Sequence, residues 1–307
     1  MDSINPEDLA GRLRTHVHYL AGELGERNSV RYANLEQARL YVEQSFARAG
    51  YEIEHDVYEV AGRTYRNVVA ERRGSEGSVV IIGAHYDTAP GTPGADDNAS
   101  GIAVLLELAR LLRDFAPAPT IRWVAFTLEE PPFYRTRLMG SRIHARKCRT
   151  RAERIACMIS FEMLGYYSDV PGSQRYPLPF MSWFYPDCGS FIALAGNSRS
   201  RHVVRKLGGR LMEAGDIPVE CAAFPLLPGA SLSDNWSFWK EGYSALMITD
   251  TAFFRNPHYH MPSDLPETLN YTRMAGLVKA LDKAIRIGLG RAAGATLLGR
   301  DPGGNWW

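Results

Sequence analysis

Four separate stretches of this chain end in side chains that bind cations. An apolar run at 78–83 leads into Ala84-His85-Tyr86-Asp87, and Val124-Ala-Phe-Thr127 leads into Leu128-Glu129-Glu130. Met158-Ile-Ser-Phe161 ends at Glu162, and Met247-Ile248 enters a loop reaching His258-Tyr259-His260. A fifth piece, Gly94-Ala-Asp96-Asp97-Asn98-Ala-Ser-Gly101, stands immediately before an apolar helical pattern. Singly, each is ordinary: Asp-Asp-Asn ahead of a helix serves as an N-cap, and paired glutamates usually lie on a solvated face. Together they point to a metal site, because buried carboxylates are costly without a cation. Imidazole with carboxylate suits zinc, whereas an all-oxygen set would point to magnesium or calcium. Two histidines and several carboxylates suffice for two metals when one carboxylate bridges, and such a pair shares a water as nucleophile. Asp87 can accept a hydrogen bond from the His85 imidazole and fix its tautomer. Of the adjacent glutamates, one can ligate while the other takes the proton of the water.

The elements that hold these residues follow from periodicity. Amphipathic patterns predict helices over 6–24 and 34–49, followed by strands over 51–60, 64–71 and 78–83. Beyond Gly101, Ile102, Leu105, Leu106, Ala109 and Leu112 recur at helical spacing. Further strands are expected over 120–127, 155–161, 191–195 and 244–248, with helices over 138–149, 201–214 and 271–289. Strands alternating with helices give an α/β fold, a three-layer sandwich with a mixed, mostly parallel central sheet. The opening strand pair places antiparallel members at one side. In such sheets ligand sites collect at the carboxyl ends of strands, where the four polar termini fall. With no repeat and no linker between independent cores, one catalytic domain is expected over 1–296, and 297–307 as a tail.

Bulk properties narrow the partners. The 35 basic and 34 acidic residues leave a net charge of +1, which gives nucleic acid or an anionic membrane no electrostatic hold. No stretch approaches the roughly 20 apolar residues that span a bilayer, and the N-terminus lacks a signal-peptide core. Cys148, Cys157, Cys188 and Cys221 form neither a CxxC pair nor a disulfide framework, so a reduced cytoplasmic setting is expected.

At these residues the sequence resembles metallopeptidase family twenty-eight, which includes bacterial leucyl aminopeptidases, aminopeptidase Y and glutamate carboxypeptidase II, with glutaminyl cyclases as relatives. The matching segments GAHYDT, GADDNASG, LEE, SFEMLGY and HYHMPSD occur in family order between Gly83 and Asp264, and the opening YLAGELGERN is also similar. The resemblance implies a zinc-peptidase fold and two zinc ions per chain. One would be held by His85, Asp97 and Glu162, the other by Asp97, Glu130 and His260, with Asp97 bridging. It implies Glu129 as general base and acid, Asp87 as the orienter of His85, and Tyr259 as a donor to the oxyanion. It also implies a cis Asp97–Asn98 peptide bond. The substrate implied is a peptide or aminoacyl amide.

Two departures stand out. Between Glu130 and Gly140-Ser141 the chain is longer than the family pattern and carries Phe133, Tyr134, Arg135 and Arg137, and Glu162 stands where many members have Asp. Asp234, in Leu232-Ser-Asp-Asn-Trp236, matches a Ser-Asp-His segment whose His is replaced by Asn235, and it is left outside the catalytic set. Among the other histidines, His16 and His18 lie two apart on a helix, and His55, His144 and His202 are expected at the surface. His258 is the rival of His260, which is favoured because Asp264 follows as a supporting partner. Trp183, Phe184, Tyr185, Phe253 and Phe254 can line a pocket or close the core, and Arg135, Arg137 and Arg255 can meet a substrate carboxylate or stay solvated. The motifs and the resemblance together predict an aminopeptidase. The rivals are a glutaminyl cyclase with one zinc, a small-amide hydrolase or carboxypeptidase, and a non-catalytic binding protein.

Overall fold

The β-branched run Val79-Val-Ile-Ile82 forms strand β3 (Ser78–His85) at the centre of an eight-stranded sheet, with side chains packed on both faces. Val80, Ile82 and Ala84 enter the larger core, while Ile81 packs on the opposite side with Val124, Phe126 and Phe238. Such two-sided burial is what a continuous apolar strand requires. The computed structural model describes residues 5–290 apart from 216 and 226. The tail expected over 297–307 lies outside the described residues.

The other strands are β1 (Ile53–Val60), β2 (Arg63–Arg72), β4 (Thr120–Phe126), β5 (Arg154–Glu162), β6 (Ile192–Gly196), β7 (Val219–Ala223) and β8 (Ala245–Thr249). Their order across the sheet is β1-β2-β4-β3-β5-β8-β6-β7. The middle strands β4, β3, β5 and β8 are parallel, so their carboxyl ends share one edge. The opening hairpin adds β1 and β2 antiparallel on one side, as expected. On the other side β6 runs against β8, with β7 parallel to β6, an inversion that the sequence patterns did not disclose.

Helices cover both faces. The larger layer contains α1 (Pro6–Val17), α2 (Tyr32–Arg48), α3 (Gly101–Leu111), α5 (Arg201–Ala214) and α7 (Tyr271–Leu289), and α1 continues through π-helical residues to Leu24. Asn5 caps α1, its side chain accepting the Glu7 N–H, and Asn270 caps α7 through the Arg273 N–H. The opposite layer holds α4 (Gly140–Thr150) and α6 (Asn235–Lys240). Of the strands and helices, β7 and α6 were absent from the sequence expectation.

His144 corrects the expectation of a surface residue. It is buried on α4, its Nδ1 2.6 Å from Asp56 Oδ2, and Lys147 pairs with the other oxygen of that carboxylate. Burial pushes the Asp56 carboxyl up, but these contacts outweigh it and hold the group below the usual range.

Candidate metal centre

The parallel middle strands deliver their terminal residues to one edge of the sheet. His85 is the last residue of β3 and Glu162 the last of β5. The chain leaves β4 at Phe126 and turns through Leu128, whose φ is 57°, before presenting Glu129 and Glu130. His260 comes from the loop after β8 and also has a left-handed φ of 57°.

Asp97 lies in the segment Ala95–Ser100 leading into α3, and its peptide bond to Asn98 is cis. Two glycines bracket this segment for steric reasons. At Gly94, in the left-handed region, a Cβ would come within 2.3 Å of the Asp97 carbonyl oxygen, and at Gly101 within 2.3 Å of Asn98 Oδ1. Asn98 in turn donates to the Phe161 carbonyl at 2.8 Å, tying the segment to the end of β5.

The five expected ligands come together in two sets joined by one carboxylate. His85 Nε2 is 3.3 Å from Asp97 Oδ1 and 3.4 Å from Glu162 Oε2. His260 Nε2 is 3.1 Å from Asp97 Oδ2 and 3.2 Å from Glu130 Oε1. Each oxygen of Asp97 therefore faces a different imidazole. In tetrahedral zinc coordination with bonds of 2.0–2.1 Å, neighbouring ligand atoms lie about 3.3 Å apart. His85 Nε2, Asp97 Oδ1 and Glu130 Oε1 are buried and have no hydrogen-bond partner among the described residues, and His85, Asp97 and Glu130 offer atoms within 4.8 Å of one another. Buried donors left unpaired at this spacing fit a cation.

The electrostatics point the same way. Burial raises Glu130 to about 7, with repulsion from Asp97 adding to it, and Glu129 is pushed well above the usual carboxylate range. Burial alone would lower His260, yet the neighbouring Asp97 and Glu130 carboxylates lift it to about 10. This is a cluster of carboxylates that positive charge would stabilise. Glu129 Oε1 is buried and unpartnered as well, beside the cluster but outside both sets.

The supporting contacts differ in part from expectation. His85 Nδ1 lies 3.2 Å from the backbone oxygen of Asp87 and 3.7 Å from its carboxylate, which instead accepts the N–H groups of Glu129 at 3.1 Å and Glu130 at 3.0 Å. Asp87 thus fixes the glutamate turn as well as the imidazole. Asp264 does not meet His260, since its carboxylate accepts the N–H of Asp96 and Asp97 at 2.9 and 3.1 Å. His260, rather than His258, joins the cluster, and His258 Nδ1 contacts Ser263 Oγ at 2.9 Å. The Tyr259 ring stacks on His260, with centroids 3.9 Å apart.

Three residues that the sequence left outside the site stand beside it. Arg27 is fully buried and donates to the carbonyls of Leu20, Tyr86 and Gly94, fastening the loop between His85 and Asp97 to the opening helix. Its place in the opening YLAGELGERN was the available signal. Ser233 donates to Glu162 Oε2 at 2.6 Å. Asp234, set aside earlier, is fully buried with both carboxylate oxygens unpartnered among the described residues. Burial raises it to about 7.

Arg255 does not stay solvated. It is buried over the Phe191 ring and donates to Gln174 Oε1 and the Phe191 carbonyl. Arg135 donates to Ser231, while Trp183 and Phe184 are exposed. Tyr185, Phe253 and Phe254 line a cavity of about 110 Å³ that reaches Glu162 and Tyr259.

The arrangement defines an α/β protein with a buried imidazole–carboxylate centre at the carboxyl edge of its sheet. The sequence profile described as "Peptidase family M28" matches residues 67–282. The chain belongs to that family. It is 42% identical over 277 residues to "Uncharacterized protein YfbL" of Escherichia coli, covering 87% of this chain and 84% of that protein. A "Probable leucine aminopeptidase" of Trichophyton verrucosum is 26% identical over 222 residues, covering 68% of this chain and 53% of that one. Among solved structures, a zinc aminopeptidase from Bacillus subtilis superposes with a TM-score of 0.74 at 14% identity, covering 92% of this chain and 96% of that one. Fimbriiglobus ruber glutaminyl cyclase superposes with a TM-score of 0.68 at 18% identity, covering 91% and 95%. At these identities the structural likeness shows the fold, which both kinds of enzyme share.

Proposed function

We propose that this chain is a two-zinc aminopeptidase, a single catalytic domain that cleaves the N-terminal bond of peptides or aminoacyl amides. The observation that carries the reading is Asp97, with one oxygen 3.3 Å from His85 Nε2 and the other 3.1 Å from His260 Nε2. One zinc would be held by His85, Asp97 and Glu162, and the other by His260, Asp97 and Glu130. Zinc ions bound there would polarise the substrate carbonyl and lower the pKa of water toward about 7.

The remaining work falls to the chain's own residues. Glu129, buried and free of a partner among the described residues, accepts the proton of the attacking water and delivers it to the leaving amine. Its raised pKa suits a group that must hold a proton between those two transfers. The Asp87 backbone oxygen holds His85 by Nδ1, so that Nε2 faces the carboxylates. The Tyr259 hydroxyl donates to the oxyanion as the carbonyl becomes tetrahedral, its ring fixed against His260. Names of family relatives that include aminopeptidases favour cleavage at the N-terminus. The four free cysteines accord with a reducing cytoplasm. Among the described residues, no helix is long and apolar enough to cross a membrane.

The test is hydrolysis of a panel of aminoacyl 4-nitroanilides by zinc-loaded protein, with and without a chelator, beside N-acetylated counterparts. Turnover of free-amine substrates that the chelator abolishes supports the reading. Equal turnover of acetylated substrates would show an amide hydrolase instead, and cyclisation of glutaminyl substrates without hydrolysis would show a cyclase.

A further inference from the structure

The sheet register carries a row of residues away from the metal centre. Glu162 on β5 pairs with Thr249 on β8, Thr249 with Ala193 on β6, and Ala193 with Glu220 on β7. Directly paired residues share a face, so all four side chains stand on the same side of the sheet. All four also line the cavity that opens beside Tyr259. Three strand spacings separate the ends of the row, about 14 Å between the Cα atoms of Glu162 and Glu220. The short helix Pro179–Trp183, through Met181, and the loop at Leu227 and Pro228 complete the lining of the cavity.

The floor and walls between the two glutamates are apolar or small, with Ala193, Ala195, Met247 and Phe254 among them. Glu220 is out of place in that setting. It is half-buried, and among the described residues it has no hydrogen-bond or ion-pair partner. Burial alone raises its pKa, with no cation to pull it back. Arg175 lines the same cavity but turns its guanidinium to the Phe253 carbonyl. Tyr176 and Tyr185 stand near Glu220, their ring centroids 5.8 Å apart, and its carboxylate raises the pKa of both after burial. Their hydroxyls are engaged by the backbone carbonyls of Pro186 and Cys221, which leaves the rings rather than the hydroxyls for a ligand.

We infer that this cavity receives the side chain of the substrate's N-terminal residue and that Glu220 selects a long apolar stem ending in a cation, as in lysine or arginine. The inference rests on the reading of the centre as an aminopeptidase site. The stem lies along the alanines and Met247, and the ammonium or guanidinium meets the Glu220 carboxylate beside two phenol rings. A carboxylate already stripped of part of its water and lacking a partner contributes more to such a contact than an exposed one. The rings add attraction for a cation.

Lysine and norleucine share a stem and differ in the terminal ammonium, so they separate this selection from simple apolar fit. kcat/KM is measured for the lysyl, arginyl, norleucyl and glutamyl 4-nitroanilides with zinc-loaded protein. Binding of lysinamide and norleucinamide to the zinc-loaded Glu129→Gln protein is measured by calorimetry. Lysine is expected to exceed norleucine at least about tenfold in both. Glu220→Gln should bring the ratio near one, chiefly by lowering the lysyl value. Norleucine equal to or above lysine in the wild-type protein overturns the inference, as does a ratio that Glu220→Gln does not alter. If no anilide turns over, the aminopeptidase reading falls, and the calorimetric ratio still decides the preference of the cavity.

Discussion

Asp264 holds Asp97 by its backbone, one carboxylate oxygen accepting the Asp97 N–H at 3.1 Å. Its other oxygen accepts the Asp96 N–H at 2.9 Å, so the peptide that presents the shared carboxylate is clamped at two successive points. Asp264 is buried, and neighbouring Asp96 adds to burial in raising its pKa to about 7. Asp264→Ala should therefore weaken zinc binding about 10- to 100-fold, the range for loss of a group that orients ligands. Competition with a chromogenic chelator reads the affinity, and far-ultraviolet circular dichroism checks that the fold survives. Unchanged affinity in a folded variant would remove Asp264 from the support of the centre.

Glu129 lies outside both proposed ligand sets, so its loss should spare metal binding and impair turnover. Glu129→Gln is expected to retain the wild-type zinc content while kcat falls by about 10²–10⁴. Metal analysis and steady-state kinetics on the same sample separate the two effects. Wild-type kcat would assign the proton transfers elsewhere.

The Arg27 guanidinium is the fastener between the opening helix and the loop that carries Asp97. Arg27→Met would leave the buried carbonyls of Tyr86 and Gly94 without their donor, at about 1–3 kcal/mol for each. A loss of several kcal/mol in urea unfolding should accompany weakened zinc binding. A variant as stable as wild type would contradict the clamp.

Glu107 sets a pH dependence remote from the proposed metal centre. Its carboxylate receives Arg12 at 2.9 Å and lies 3.1 Å from His16 Nε2, with Arg110 alongside. Burial pushes its pKa up, but contacts with His16 and Arg12 outweigh this and bring it to about 2, below the usual 4.5. Because the folded value is the lower one, the stabilisation is fully present above about pH 4.5 and is lost as the pH falls toward 2. It is on the order of 3 kcal/mol. Glu107→Gln should lower the urea midpoint at pH 7 and flatten the decline in stability between pH 5 and pH 2. An acid limb as steep as that of wild type would contradict this role.

Much of the centre was legible because its residue types are improbable at strand ends unless they work together. His85, Glu130 and Glu162 follow apolar strands whose periodicity is plain, and Asp97 sits in a glycine-bracketed segment. What resisted reading depended on contacts across the fold. The strand Val219-Glu-Cys-Ala-Ala223 is a short edge strand with weak β propensity, and Asn235–Lys240 makes less than two helical turns. His144 has charged sequence neighbours, yet its burial is decided by Asp56, 88 positions away. Asp264 sits four residues after His260 but serves Asp96 and Asp97, a relation that closes only when the loop after β8 folds over that segment. Glu220 was overlooked for the same reason, its place opposite Glu162 being set by register through two intervening strands.

Two zinc ions sharing Asp97 are the core of the proposed function, and metal stoichiometry tests that directly. Inductively coupled plasma mass spectrometry on zinc-saturated, gel-filtered protein should give two zinc ions per chain for wild type. It should give one for His260→Ala and fewer than one for Asp97→Ala. A single zinc in the wild-type protein, or two retained when Asp97 is replaced, would contradict it.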